Sequence, residues 1–164
     1  MIAAWACRYL QVEKEKGIEA EVIDNRVTVR TGKEGFYTEL FANGHPLVAD
    51  EPTTYGGTDL GPSPYEYLLS ALGACTTMTV QMYAQRKKWP LESAVVRLSH
   101  EKIHAEDCQS CEEKSGKIDR FDRELELQGE LNAEQRQRLL EIAERCPVHR
   151  TLHATVEVIT RLKG

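Results

Sequence analysis

The chain has no low-complexity tract, no surplus of basic residues and no apolar run preceded by positive charge at its start. Each absence excludes something. Its 21 basic and 26 acidic residues, interspersed to a net charge of -5, give no electrostatic footprint for nucleic acid or an anionic membrane. The opening Met1-Ile2-Ala3-Ala4-Trp5-Ala6-Cys7-Arg8 lacks a basic lead and breaks at Arg8, so it reads as neither a signal peptide nor a membrane span. A cytoplasmic protein is expected. Five cysteines at wide, irregular spacing are an odd count that disfavours a secreted disulfide framework and favours metal or catalytic use in a reducing compartment.

At 164 residues, 41% hydrophobic and 29% charged, the composition is that of a globular protein with enough length for its own core. There is no internal repeat. The expectation is a single domain over 1–164, with a core from about 18 to 162 and an N-terminal extension over 1–17. Residues 18–49 read as an antiparallel meander: Val22-Ile23, then Val27 and Val29 at period two, then Phe36 to Phe41. Asn43-Gly44 then makes a primed hairpin turn into His45-Pro46-Leu47-Val48. Residues 50–62, rich in Pro, Gly and Thr, form a loop.

Ser63, Pro64 and Glu66 spell a helix start, as N-cap, first helical residue and capping-box acid. The helix they open carries Tyr65, Leu68, Leu69, Leu72, Thr76, Thr79 and Tyr83 on one face. Cys75, Met78 and Met82 widen that face until Trp89-Pro90 stops the helix, and so broad a face predicts burial on several sides. Residues 94–104 and 118–128 alternate as a pair of longer strands. Asn132 and Gln135 open a second helix, whose apolar side runs through Leu139, Leu140, Ile142, Ala143 and Cys146 until Pro147 ends it. A last strand is expected through Val156, Val158 and Ile159. Strands, helix, strands, helix, strand without regular alternation predict an α+β architecture.

Two thiols then stand out, Cys75 in the long helix and Cys146 at the end of the second. A free cysteine in an apolar helix packs well as a small hydrophobe. A catalytic thiol needs a thiolate, and Cys75, twelve residues past Ser63, is beyond reach of its own helix dipole, which acts within the first turn. Activation has to come from elsewhere, an arginine above all.

The runs Gly61-Pro62-Ser63-Pro64-Tyr65-Glu66, Cys75-Thr76-Thr77-Met78 and Cys146-Pro147-Val148 resemble the OsmC/Ohr family of organic hydroperoxide reductases and OsmC-like redox proteins, over about residues 25 to 162. The segment through His149-Arg150-Thr151-Leu152 is most similar to a branch sometimes fused to an α/β-hydrolase domain. No such domain is expected from these 164 residues, and Gly61 to Tyr65 lacks the final glycine of a nucleophile elbow. The resemblance implies an OsmC-like fold of antiparallel sheets around a long central helix, in an intertwined homodimer with active sites near the subunit interface.

By the same resemblance Cys75 attacks an organic hydroperoxide to give a sulfenic acid, Cys146 resolves it as a disulfide, and a dithiol, often a lipoylated protein, restores both thiols. No cofactor is implied. Arg30, at the end of Arg26-Val27-Thr28-Val29-Arg30-Thr31, is the candidate partner of the thiolate, beside the plain reading of a solvated strand-end arginine. The family's peroxidases carry a glutamate directly after the helix-start proline. Here that position holds Tyr65 and the acid follows at Glu66, a step that turns a helical side chain by about 100 degrees. Glu66 therefore has two readings, catalytic acid or capping-box acid. A second reading of function is an OsmC-like redox or small-molecule binding protein without turnover.

His100, His104, Cys108 and Cys111 form the other cluster. Cys-x-x-Cys suits zinc or a disulfide, but His100 and His104 are about 13 Å apart on an extended strand. The candidate metal ligands are thus Cys108 and Cys111 with His104, against a redox disulfide or an unmetallated loop. His149 lies close enough in sequence to reach the Cys146 pocket.

Overall fold

Two positive-φ residues close the hairpin that ends at Ala49. Asn43 (φ 46°) and Gly44 (φ 89°) are the two-residue primed turn that suits the twist of paired strands. The structure is a computed structural model and describes residues 26–104 and 116–163. Val22-Ile23, Cys7, Cys108 and Cys111 lie outside the described residues. The chain divides into two compact units, residues 1–64 and 65–164.

In the first unit β1 (Val27–Thr31), β2 (Thr38–Ala42) and β3 (His45–Ala49) form an antiparallel meander in the order β1-β2-β3. Its register runs from Thr31 opposite Thr38 to Ala42 opposite His45. The following loop is more organised than its composition implies. Asp50 is buried and its carboxylate accepts the amides of Glu51 (2.8 Å), Thr58 (3.0 Å) and Leu60 (3.3 Å) together with the Thr58 hydroxyl. The Thr58 hydroxyl leads these donors in holding the acid below the usual carboxylate range, against the opposing pull of burial.

The second unit holds all but the first residue of the long helix α1 (Pro64–Lys87), followed by strands β4 (Leu91–His104) and β5 (Lys117–Gly129) and helices α2 (Ala133–Ala143) and α3 (Pro147–Leu152). Pro64 is the first helical residue, as expected, and α1 ends where Lys88 turns to φ 56°. β4 and β5 pair antiparallel from Leu91 opposite Gly129 to His104 opposite Lys117. Gly129 has φ 126°, and a Cβ there would stand 2.1 Å from the Pro90 carbonyl oxygen, so only glycine fits.

One face of α1 lies on this ribbon, close enough that a Cβ on Gly73 would meet Leu98 Cδ1 at 3.0 Å. The buried row is Leu72, Thr76, Val80 and Ala84, four residues apart and hence one above the other. Val80 and Ala84 join Leu91, Leu131, Leu139 and Ala143 in the core, with Tyr83, Trp89, Ala94, Leu125 and Leu127 around them. α2 opens on a full capping box, in which the Asn132 side chain accepts from the Gln135 amide while the Gln135 side chain accepts from the Asn132 amide, both at 2.9 Å.

Within the single chain the fully buried residues of α1 form one row, and Met78 and Met82 are 68% and 60% exposed. Two expectations are corrected. Pro147 does not end the second helix: α2 stops at Ala143, and Pro147 opens α3 with Cys146 as its N-cap. The lost amide of proline is harmless at a first helical position, where no helical acceptor exists for it. The last strand does not form either. Residues 155–163 join no ladder among the described residues, because strand residues need a neighbouring edge to satisfy their backbone groups.

Candidate functional site

Cys75 and Cys146, far apart in sequence, meet at the first turn of α3. A helix start leaves backbone N–H groups without helical acceptors, and here sulfur atoms accept two of them. The Val148 amide donates to Cys75 Sγ at 3.5 Å, and the next amide, His149, donates to Cys146 Sγ at 3.3 Å. The Cys146 thiol is thus the cap of α3 and Cys75 is reached from across the helix boundary. Both are free thiols, Cys75 half-buried and Cys146 buried.

The second contact set comes from α1 and β5. Thr76, fully buried, places its hydroxyl 3.7 Å from Cys146 Sγ and donates to the Leu72 carbonyl at 2.7 Å. Arg123 Nη1 donates to that same hydroxyl at 2.9 Å and to the Ala143 carbonyl, at the end of α2, at 3.2 Å. Burial is the largest influence on Cys146 and pushes its thiol up. The His149 amide, the Thr76 hydroxyl, the Cys75 thiol and the Arg123 charge together outweigh burial and hold it below its ordinary value. The His149 imidazole is held below its usual value too, by burial first, then by His153 and Arg123, with Glu144 opposing.

Arg30 lies on β1 in the first unit, opposite Glu39 and ion-paired with it at 3.4 Å. Glu66 lies in the first turn of α1. Tyr65 stacks on His100 with ring centroids 4.2 Å apart. His100 in turn stacks on Phe121 (4.9 Å) and bonds to Asp119 at 2.7 Å. That aromatic and acidic setting occupies the His100 ring. His104 ends β4, and among the described residues no three His, Cys, Asp or Glu side chains gather as metal ligands.

Arg123 and Thr76 are the site residues that the sequence reading did not assign a role. A signal for Arg123 was present: with Phe121, Leu125 and Leu127 it shares the inward row of β5, where a cation is unusual. Thr76 was placed on the apolar face of α1 without a role for its hydroxyl. The amides of Val148 and His149 carried no signal, since Pro147 read as a stop.

The sequence model for OsmC-like proteins matches residues 57–161. No curated protein matches the chain. Among solved structures, the chain is similar to an OsmC-like protein from Mycoplasma pneumoniae (17% identity, TM-score 0.62, 78% of this chain and 86% of that one). It is also similar to the organic hydroperoxide resistance protein OsmC of Legionella pneumophila (19%, 0.56, 77% and 87%). A third is an organic hydroperoxide resistance protein of Elizabethkingia anophelis (17%, 0.56, 80% and 89%). At such identities these likenesses establish the fold: antiparallel sheets with a long helix, in the OsmC-like arrangement. With the family match spanning well over half of its length and both thiols inside it, the chain belongs to the OsmC-like protein family.

Proposed function

We propose that the protein reduces organic hydroperoxides with a dithiol as electron donor, using Cys75 and Cys146 as peroxidatic and resolving cysteines. The observation that carries this reading is the convergence of both sulfurs on adjacent amides of α3, those of Val148 and His149. The hydroperoxide chemistry is suggested by the names of the Legionella and Elizabethkingia neighbours.

In the proposed cycle the Cys75 thiolate attacks the outer peroxide oxygen, the O–O bond breaks, and the alkoxide takes a proton to leave as alcohol. Cys75 is then a sulfenic acid. The Cys146 thiolate attacks its sulfur, the S–O bond breaks, and the departing hydroxide is protonated to water as the disulfide forms. A dithiol, with a lipoylated protein as the proposed physiological form, is oxidised to its disulfide and restores both thiols. Arg30 and Glu66 are assigned to the Cys75 half of the cycle by family resemblance, as the guanidinium that steadies the thiolate and the acid that orients it.

The protein is further proposed to work as a cytoplasmic homodimer. Among the described residues no helix is long and apolar enough to cross a membrane. A second copy is the proposed cover for the exposed Met78 and Met82 of α1 and for Val156, Val158, Ile159 and Leu162 of the unpaired C-terminal segment.

Turnover of cumene hydroperoxide with dihydrolipoamide tests the reading. Cys75→Ser should abolish it, and Cys146→Ser should leave slow turnover that ends in overoxidised Cys75. Wild-type protein that consumes no peroxide while both thiols remain titratable overturns the proposal. A second reading, redox or small-molecule binding without turnover, is favoured by the Tyr65 ring lying on His100 where the peroxidases have their acid. It predicts a rise in melting temperature with an apolar ligand.

A further inference from the structure

A hydroxyl has one proton to donate and two lone pairs to accept with, and the surroundings of Thr76 use all three. Its proton goes to the Leu72 carbonyl, one lone pair takes Arg123 Nη1–H, and the other faces Cys146 Sγ. With Cys146 protonated, its S–H donates into that lone pair and the set is complete. Once Cys146 is a thiolate it has nothing to donate, and the only attractive arrangement left is Thr76 O–H pointing at sulfur.

Turning the hydroxyl toward sulfur costs little, because Leu72 O still accepts the backbone amide of residue 76 as an interior helical carbonyl. Arg123 cannot follow the rotation, being fixed by its second bond to Ala143 O at 3.2 Å. Its N–H therefore stays on the Thr76 oxygen in either state and polarises the O–H that faces sulfur.

We propose that Arg123 and Thr76 form a relay dedicated to Cys146, in which Arg123 positions the Thr76 hydroxyl and the hydroxyl swings from Leu72 O to the Cys146 thiolate. Thr76 touches the reacting sulfur, whereas Arg123 acts through it as a positioning residue. The relay favours the thiolate of Cys146, the form that attacks the Cys75 sulfenic acid. In purpose it rests on the peroxidase reading; as a thiolate switch it stands alone.

The titratable neighbours of Cys146 are consistent with this: Cys75 on α1, Arg123 on β5 and His149 on α3, while Glu144, Arg145 and Arg150 are exposed. Arg123 is the cation that acts on the sulfur, and the thiol lies below its ordinary value.

The test titrates Cys146 as the sole thiol, in protein with Cys7, Cys75, Cys108 and Cys111 replaced by serine, by its ultraviolet thiolate absorbance. Thr76→Val and Arg123→Gln should each raise the midpoint by about one pH unit, a roughly tenfold loss of thiolate at neutral pH. Thr76→Ser, which restores the hydroxyl, should titrate with the parent. Should the valine variant fail to fold, Thr76→Ala carries the same reading. Midpoints that stay with the parent in folded variants overturn the relay. In the two-cysteine protein the same substitutions should slow disulfide closure about tenfold after one equivalent of hydroperoxide. A shifted midpoint in a protein that never reduces peroxide upholds the relay and sinks the peroxidase reading; unchanged midpoints in an active peroxidase do the reverse.

Discussion

His149 gives the site a pH dependence of its own. Its amide holds Cys146 while its ring, kept below the ordinary value of 6.5 chiefly by burial and then by His153 and Arg123, resists taking a proton. The unfolded chain binds that proton more readily than the folded one, so stability is fully present above about pH 6.5 and is lost as pH falls toward the folded value. His149→Gln should flatten the fall in melting temperature between pH 7.5 and pH 5.5, measured by calorimetry; an unchanged slope would place the dependence elsewhere. At this scale the sequence exposed the thiols, because cysteine is rare and its setting specific. It concealed their activation. The Cys75 contact is a backbone amide, which no side-chain pattern reports, and the signal for Arg123 is only its place in the inward row of β5.

Among the elements, those with local start signals were legible. The Asn43-Gly44 turn, Pro64 at the head of α1 and the Asn132–Gln135 capping box are each decided by a few adjacent residues. Proline at 147 was not, because the same residue ends one helix or begins another and the choice depends on whether Cys146 finds a donor to cap. Here it finds His149. The core that carries these elements converges on Leu139, fully buried against Val80 and Ala84. Leu139→Ala should cost about 3 kcal/mol in denaturant unfolding, without altering the thiolate titration of Cys146. A loss well under 1 kcal/mol would mean that α2 contributes little to the second unit.

For the whole molecule, tertiary context decides two places, the wide apolar face of α1 and the C-terminal segment, where the expected strand does not form. Sequence periodicity marks residues as apolar but cannot say which chain covers them. With Met82 60% exposed, a lysine there is harmless to a monomer and would place two charges at the proposed dimer interface. Met82→Lys should therefore convert a dimer to a monomer in light scattering, with the secondary structure kept; a dimer of unchanged mass would remove α1 from the interface.

The central claim is that Cys75 and Cys146 work as one redox pair, and mass spectrometry of the protein after one equivalent of organic hydroperoxide tests it most directly. The account predicts a single new disulfide joining Cys75 to Cys146, absent before peroxide and reversed by dihydrolipoamide. Cys75 and Cys146 left unlinked, or Cys75 overoxidised while Cys146 remains a free thiol, would contradict it.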